Sequence, residues 1–233
     1  MVEGLGTAVV LHRYISHRSF EAKEVLRPFL LWTACMSLQG SPMGWAAVHR
    51  GSHHRYADTD NDAHTPRKGK WYAWHMWLHD WNQYFNAKYV TDLLRDPMQV
   101  WFAKNYEKII LVSYVIIGLI SIELLLFGFM IPAAVGLYQE SNINVFCHSG
   151  DLGYRNFETK DDSRNVPFLA FITWGQGWHN NHHQKPASYD FGTSVSGNVS
   201  EFDPSLLLLK FIATKDSYDK ITENRNRSVT LDV

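Results

Sequence analysis

Three groups of histidines stand out: His12-Arg-Tyr-Ile-Ser-His17, His49-Arg-Gly-Ser-His53-His54 and His179-Asn-Asn-His182-His183. A neutral imidazole offers one lone pair, which suits Fe, Zn, Cu or Ni. A zinc-type site takes about four ligands. The eight histidines in these boxes, out of 12 in the chain, therefore point to two ions rather than one. A ninth candidate is His148, with Asn144 one helical turn before it. Asp58, Asp60, Asp62 and Asp151 lie near the boxes, either as a solvated acidic loop or as acceptors for ligand N–H groups. His64, His75 and His79 fall outside the boxes. The last two sit among tryptophans and read as interfacial.

Spacing says how elements must present these side chains. On an α-helix His179, His182 and His183 share one face. His49 and His53 share a face too, with His54 turned about 100° away. The five-residue step from His12 to His17 fits one helix face poorly and asks for a helix end.

The chain must also bring the third box back to the first two. Ile109–Gln139 is apolar, and its single charge is Glu123. As one helix it would be about 46 Å long, more than a hydrocarbon core of roughly 30 Å. It would also strand box three on the far side of a membrane. Two arms folded back at Ser121–Glu123, extended from Phe102 to His148, return the chain to the same side. The predicted architecture is therefore an all-α integral membrane protein, with a transmembrane hairpin under a helical cap. One domain covers 1–233: 1–11 as the remnant of a membrane helix, 12–101 as cap with boxes one and two, 102–148 as hairpin, 149–215 as cap with box three, and 216–233 as a polar tail. Basic residues outnumber acidic ones before the hairpin, which places the boxes on the cytoplasmic face.

Composition agrees. Nine tryptophans and 14% aromatic residues suit a lipid interface, and residues 71–85 form an aromatic belt. The mean hydropathy of −0.24 excludes a chain that is mostly transmembrane. A net charge of −1 leaves no nucleic-acid footprint, and Cys35 and Cys147 form no disulfide framework.

Iron explains the most here, because it can reduce O2 and the resulting oxidant can attack an unactivated C–H bond. Zinc has no redox chemistry. Apolar segments around Met36–Trp45 and Trp71–Trp81 could wall a channel for an acyl chain. Two rivals share these features: a di-iron hydroxylase of alkyl, sterol or carotenoid substrates, and a membrane protein that binds metal without catalysis.

From about Leu11 to Ala213 the sequence resembles the membrane fatty acid desaturases, the acyl-CoA and acyl-lipid group. The motifs are Leu11-His-Arg-Tyr-Ile-Ser-His17, His49-Arg-Gly-Ser-His-His54 with its H-x(2–3)-H-H pattern, Gly175-Gln-Gly-Trp-His-Asn-Asn-His-His183, and Asn144-x-x-x-His148. The resemblance implies that His12, His17, His49, His53, His54, His148, His179, His182 and His183 bind two irons, with Asn144 acting through a water. It further implies O2 as co-substrate and an acyl-CoA or acyl-lipid substrate in a bent tunnel. The expected fold is a four-helix membrane anchor under a cytosolic cap. No His-Pro-Gly-Gly motif of a fused cytochrome b5 domain is present, so cytochrome b5, ferredoxin or a similar external donor would supply electrons. Three further features depart from the pattern. The N-terminal hairpin is all but missing, Ala47-Val48 stands where acyl-CoA desaturases often carry Arg-Asp, and Gln176 replaces a frequent Glu. Arg67-Lys68 resembles a basic pair that contacts a headgroup.

Overall fold

Gly4–Ser16 forms a helix, α1, whose apolar residues Val9, Val10, Leu11 and Ile15 are buried in the main core. The structure, a computed structural model, describes residues 4–192 and 201–220. The boundary drawn between a membrane remnant and a cap at residue 12 falls inside α1, so box one is the end of a core helix. Against it packs α2, Arg27–Met36, through Leu30, Leu31, Ala34 and Cys35. The next helix, α3, starts at Pro42–Val48, where Ser41 Oγ accepts from the Gly44 N–H at 3.2 Å and Pro42 occupies the first turn. It runs on through His49–His53 to His54–Tyr56. Among the described residues there is no strand, only isolated antiparallel bridges such as Ala22–Ala213 and Tyr154–Asn165. The expected helical class therefore holds.

Two wide helical turns change the register that α-helical spacing predicts. The His17 N–H donates to the His12 carbonyl at 3.1 Å, and the His54 N–H donates to the His49 carbonyl. Both bonds span five residues, so residues five apart share a face; such π-turns concentrate at functional sites. His12 and His17 thus pair along one face, and His54 joins His49 while His53 turns away. Gly51 makes the wide turn of box two compatible with its surroundings. A Cβ there would lie 2.1 Å from the Tyr89 ring.

The arginine after the first histidine of each of boxes one and two locks these turns in place. Arg50 Nε and Nη2 donate to the Ser16 and Ile15 carbonyls at 2.6 Å each, capping the end of α1, while Asp92 holds the same guanidinium. Arg13 is fully buried. It donates to Ala8 O, Tyr189 O and Asp203 Oδ2, and its guanidinium lies 3.6 Å from the centre of the Phe191 ring. Asp203 also accepts the Phe191 N–H, and Ser205 donates to it through both its N–H and its hydroxyl. One ion pair therefore ties α1 to the segments on both sides of box three.

After α4 (Tyr72–Met76 continuing as Trp77–Asp80) and α5 (Pro97–Lys104) come two apolar arms: α6, Tyr106–Ile120, and α7, the continuous run Ile122–Phe146. Ser121 is extended (φ −161°, ψ 126°) and its Oγ accepts from the Leu124 N–H, ending one helix and capping the next. Trp32 touches both arms at equal distance from this turn: its Nε1 donates to Ser113 Oγ at 2.9 Å, and its ring lies 6.0 Å from that of Phe129. The helix thus breaks at Ser121, inside the stretch where two arms were expected to part. The arms are unequal, however. Only α7 is long and apolar enough to cross a membrane, at about 37 Å. The expected first arm from Phe102 is broken at Asn105, whose Nδ2 donates to the Trp101 carbonyl and whose backbone leaves the helix (φ −107°, ψ 13°). That leaves α6 with about 22 Å. Leu119 is 83% exposed and Phe127 69%, so the apolar faces of both arms have no protein cover among the described residues.

Beyond box three (α8, Pro167–Ile172, and α9, His179–Gln184) lies α10, Leu206–Ile212, followed by a helical stretch at 215–220. Tyr218 of that stretch packs on the core, so the start of the expected polar tail is docked. Residues 221–233 lie outside the described residues.

Asp203→Ala should destabilise the protein by about 3–5 kcal/mol, because it leaves Arg13 charged, buried and unpaired. Unfolding of detergent-solubilised protein by denaturant checks this. A loss below about 1 kcal/mol would show that the pair is not a structural anchor.

Candidate metal centre

The histidines gather into two adjoining nests. His12, His17, His49, His54 and His182 form the first, and His53, His148, His179 and His183 form the second; the ligand atoms of each lie within 4.8 Å of one another. Boxes two and three are each split between them, while both histidines of box one join the first nest. In box two the wide turn sends His49 and His54 to one nest and His53 to the other. In box three His179 and His183, four apart, face the second nest while His182 faces the first. The expected shared face of all three does not form, because a step of three residues turns the side chain aside just enough to select the neighbouring nest.

The second nest is fixed from behind by oxygen atoms. His148 Nδ1 donates to Asp58 at 3.0 Å, His183 Nδ1 to Asp161 at 2.9 Å, His53 Nδ1 to Asp62 at 3.3 Å and His179 Nδ1 to the Gln176 carbonyl at 3.2 Å. A neutral imidazole has one N–H, so in all four rings Nε2 carries a bare lone pair. These lone pairs face one another: His183 Nε2 is 3.1 Å from both His53 Nε2 and His179 Nε2. His148 Nε2 is buried with no hydrogen-bond partner. No hydrogen bond can join two lone pairs, so a cation is what the geometry accommodates. Nitrogens about 2.0–2.1 Å from one ion stand about 3.0–3.4 Å apart, which is the spacing found.

In the first nest, Nε2 contacts of 2.9–3.0 Å run from His12 to His182, His54, His49 and His17. His12 Nδ1 donates to Gln176 Oε1 at 2.7 Å, and Gln176 Nε2 in turn donates to Glu140. Burial, reinforced by neighbouring imidazoles, holds His12, His49, His54, His179 and His182 well below the ordinary histidine range. Burial pushes His17 to about 3 and, against the pull of Asp161, His183 to about 4. It acts to raise Asp58, Asp62 and Asp161, but their imidazole partners outweigh it and hold all three below the usual carboxylate range. These seven rings are thus held neutral and the three carboxylates ionised, whereas at His148 burial acts to lower the value but the Asp58 carboxylate outweighs it and raises it.

Box three owes its rigidity to asparagines that sequence reasoning passed over. Asn165 Oδ1 accepts from the Asn180 and Asn181 N–H groups, capping the start of α9. Asn180 accepts from the Asn156 and Phe157 N–H groups, and Asn181 donates to Phe191 O and Glu201. Gly175 (φ +90°) lets the chain pass beside Asp203; a Cβ there would sit 2.1 Å from its Oδ1.

A cavity of about 340 Å³ reaches both nests, touching His12, His49, His53 and His179. Its far walls include Leu38, Trp45, Trp77 and Leu78, within the two segments expected to line a channel, together with Leu137 and Ile143 of α7. Asn144 and Glu140 also line it. His64, left out of the boxes, is buried in this wall and groups with His53 and Asp62; only its contact with those two, invisible in spacing, could have found it. His75 and His79 join no nest. Of the acidic residues near the boxes, Asp58 and Asp62 are acceptors, whereas Asp60 is exposed and Asp151 pairs with Lys70. Asp161 is the acceptor that sequence reading missed. Arg67 and Lys68 stand away from the cavity: exposed Arg67 lies 3.5 Å from Asp162, and Lys68 donates to Tyr84 Oη.

The profile of the fatty acid desaturases (Fatty acid desaturase) matches residues 1–190. The chain belongs to the fatty acid desaturase family. This desaturase-family chain is 33% identical over 192 residues to Delta-9 acyl-lipid desaturase 2 of Arabidopsis thaliana, an alignment covering 78% of the chain and 60% of the relative. It is 31% identical over 189 residues to an Acyl-CoA C20 Delta5-desaturase of Anemone leveillei, covering 76% and 58%. With the Hex-5-enoyl-[acyl-carrier protein] acetylenase of Moorena producens (strain JHB) it shares 33% over 207 residues, covering 77% and 62%. The chain thus spans about three fifths of the length of the curated relatives it matches.

Neutral, buried imidazoles make the metal-free chain acid-sensitive. Their folded pKa values lie below the unfolded value of about 6.5, so below that pH the unfolded chain takes up protons that the folded one refuses. Stability is intact above about 6.5 and falls as pH drops towards the folded values of about 4 and about 3 for His183 and His17. The thermal midpoint of chelator-treated protein should fall between pH 7.5 and 5.5. An unchanged midpoint would contradict this.

Proposed function

We propose that this chain carries out O2-dependent desaturation of a fatty acyl chain at a di-iron centre. His12, His17, His49, His54 and His182 would hold one iron, and His53, His148, His179 and His183 the other. The observation that carries this reading is the set of facing lone pairs, backed by ionised carboxylates and opening onto an apolar cavity. When bound, the irons would supply the O2-derived oxidant for an unactivated methylene. Family membership favours this over the hydroxylase and the metal-storage alternatives.

The chain's own residues do the positioning. Asp58, Asp62 and Asp161 fix ring orientation and tautomer and raise ligand basicity. Trp45, Trp77 and the apolar residues of α7 would hold a methylene chain and exclude water, each buried CH2 contributing about 0.8 kcal/mol. Adjacent methylenes differ little chemically, so the walls choose the carbon. Asn144 faces the same cavity and would act through a metal-bound water. Arg67 and Lys68, exposed on the surface, suit a charged headgroup. The named relatives act on lipid-linked, CoA-linked and carrier-protein-linked chains, and the acyl carrier here would be of this kind. Desaturation yields two electrons, whereas reducing O2 to two waters takes four. The other two, with two protons, must come from an external donor. The two uncovered arms would anchor the protein in the bilayer, with the nests on the cytoplasmic side.

His182→Ala should abolish unsaturated product and lower bound iron from about two per chain, because it removes one donor of the first nest. His79→Ala should keep most activity, since His79 is exposed and belongs to neither nest. Asn144→Ala should fall between the two. Product per unit of membrane-inserted protein, with elemental analysis, checks all three. Full activity in His182→Ala would sink the assignment, and so would zinc as the only metal in active protein.

Asp60 and Ala187, both exposed, flank boxes two and three. Cysteines placed there should react with a membrane-impermeant reagent from one and the same side. Cys35 and Cys147 are buried and give little background. Reaction from opposite sides would refute the folded-back anchor.

A further inference from the structure

A second cavity, of about 510 Å³, lies apart from the nests and shares no lining residue with the first. It opens between Tyr14 and Ile15 of α1, the segment 18–24, residues 92–99 and Thr214. Ile15, Phe20, Ala22 and Leu93 give it buried apolar walls. The Tyr14 and Phe20 rings lie with their centroids 5.5 Å apart. One polar group here has nothing to bond. Gln99 of α5 is 3% exposed and lines the cavity, yet its Oε1 is buried without a hydrogen-bond partner. Native folds seldom leave a buried amide unpaired, because the loss of hydration is not made good. The charge around it is unbalanced as well. Four carboxylates line the cavity: Glu21, Glu24, Asp92 and Asp96. Three guanidiniums meet them. Arg27 holds Glu24 and Asp96, Arg50 holds Asp92, and Arg18 lies 3.7 Å from Asp92. Glu21 has no ion-pair partner among the described residues, and Lys23, which does not line the cavity, donates to the Phe211 carbonyl.

We infer that this cavity is a binding site for a small alkylammonium cation. Gln99 Oε1 and the Glu21 carboxylate accept its N–H groups, the Tyr14 and Phe20 rings attract its charge, and Ile15 and Leu93 cover its methylenes. An anion does not fit: Arg18 is the one cation that lines the cavity, its side chain is 71% exposed, and four carboxylates stand beside it. A bare metal ion does not fit either, because no three of the lining carboxylates converge on one point among the described residues. The site lies behind box one. Asp92 in its wall also holds Arg50, whose guanidinium caps the end of α1. No residue of either nest lines the cavity, so the inference is independent of the reaction assigned to the nests.

The test is titration calorimetry on the full chain in a neutral detergent, with 1,4-diaminobutane as the probe. It should bind at one site per chain with a Kd of about 1 mM or tighter, and raise the thermal midpoint as its concentration passes that value. Magnesium ion controls for charge alone and 1,4-butanediol for shape alone. Each should bind at least about tenfold more weakly. Gln99→Leu removes the amide but keeps the position filled, and should weaken binding about tenfold. Glu21→Gln, at an exposed position, should weaken it about threefold. The proposal is overturned by no saturable binding in the wild type, by equal binding of magnesium or butanediol, or by an unchanged Kd in Gln99→Leu. Should Gln99→Leu fail to fold, seen as a lost thermal transition, Glu21→Gln decides: weaker binding supports the proposal, and an unchanged Kd overturns it.

Discussion

Four Nδ1 protons, each committed to an oxygen atom, are the constraint on which the site depends. Once Asp58, Asp62, Asp161 and the Gln176 carbonyl have taken them, the opposite nitrogens have nothing left to offer but lone pairs. The fold then holds these lone pairs together away from bulk water, at a cost that a bound cation would offset. Much of the surrounding architecture serves that end. The carboxylates come from two separate loops, at 58–62 and at 161, and the asparagine network around Asn165 and Asn180 stiffens the second loop against box three.

The two nests are not equivalent. The second is backed by three carboxylates, whereas His12 in the first leans on a neutral amide, with Glu140 one step further out. Arg13 and Arg50 lie beside the first nest and add positive charge there. Gln176, noted as a departure from the family pattern, is therefore well matched to this chain. A carboxylate in its place would face Glu140 at hydrogen-bonding distance, and like charges there repel.

The residues that converge were legible in the sequence because lone-pair donors are few and clustered. How they divide was not. Spacing rules assume α-helical winding, and the wide turns at His12–His17 and His49–His54 break that assumption. Asp161 and Asn165 escaped notice because the contacts that give them meaning come from residues far along the chain. His-Arg pairs repeat in boxes one and two, yet nothing local shows that Arg50 caps α1 or that Arg13 meets Asp203. The place of the helix break at Ser121 was readable, since two arms that reunite the boxes would have to part there. The inequality of the arms was not, because the Asn105 break depends on one side chain capping α5.

Winding acts as an adjustable ruler in box two. An α-turn brings a first histidine into line with one four positions on, and a π-turn does so with one five positions on. The H-x(2–3)-H-H pattern differs by one residue between its short and long forms. Here the long form keeps His49 and His54 in one nest by loosening the helix, with Gly51 giving the loosened turn room against Tyr89. A length change that would shift every later side chain in a rigid helix is absorbed within a single turn. Box two can therefore gain or lose a residue over evolutionary time while its end members keep their places, which makes the metal centre more constant than the spelling of the motif that builds it.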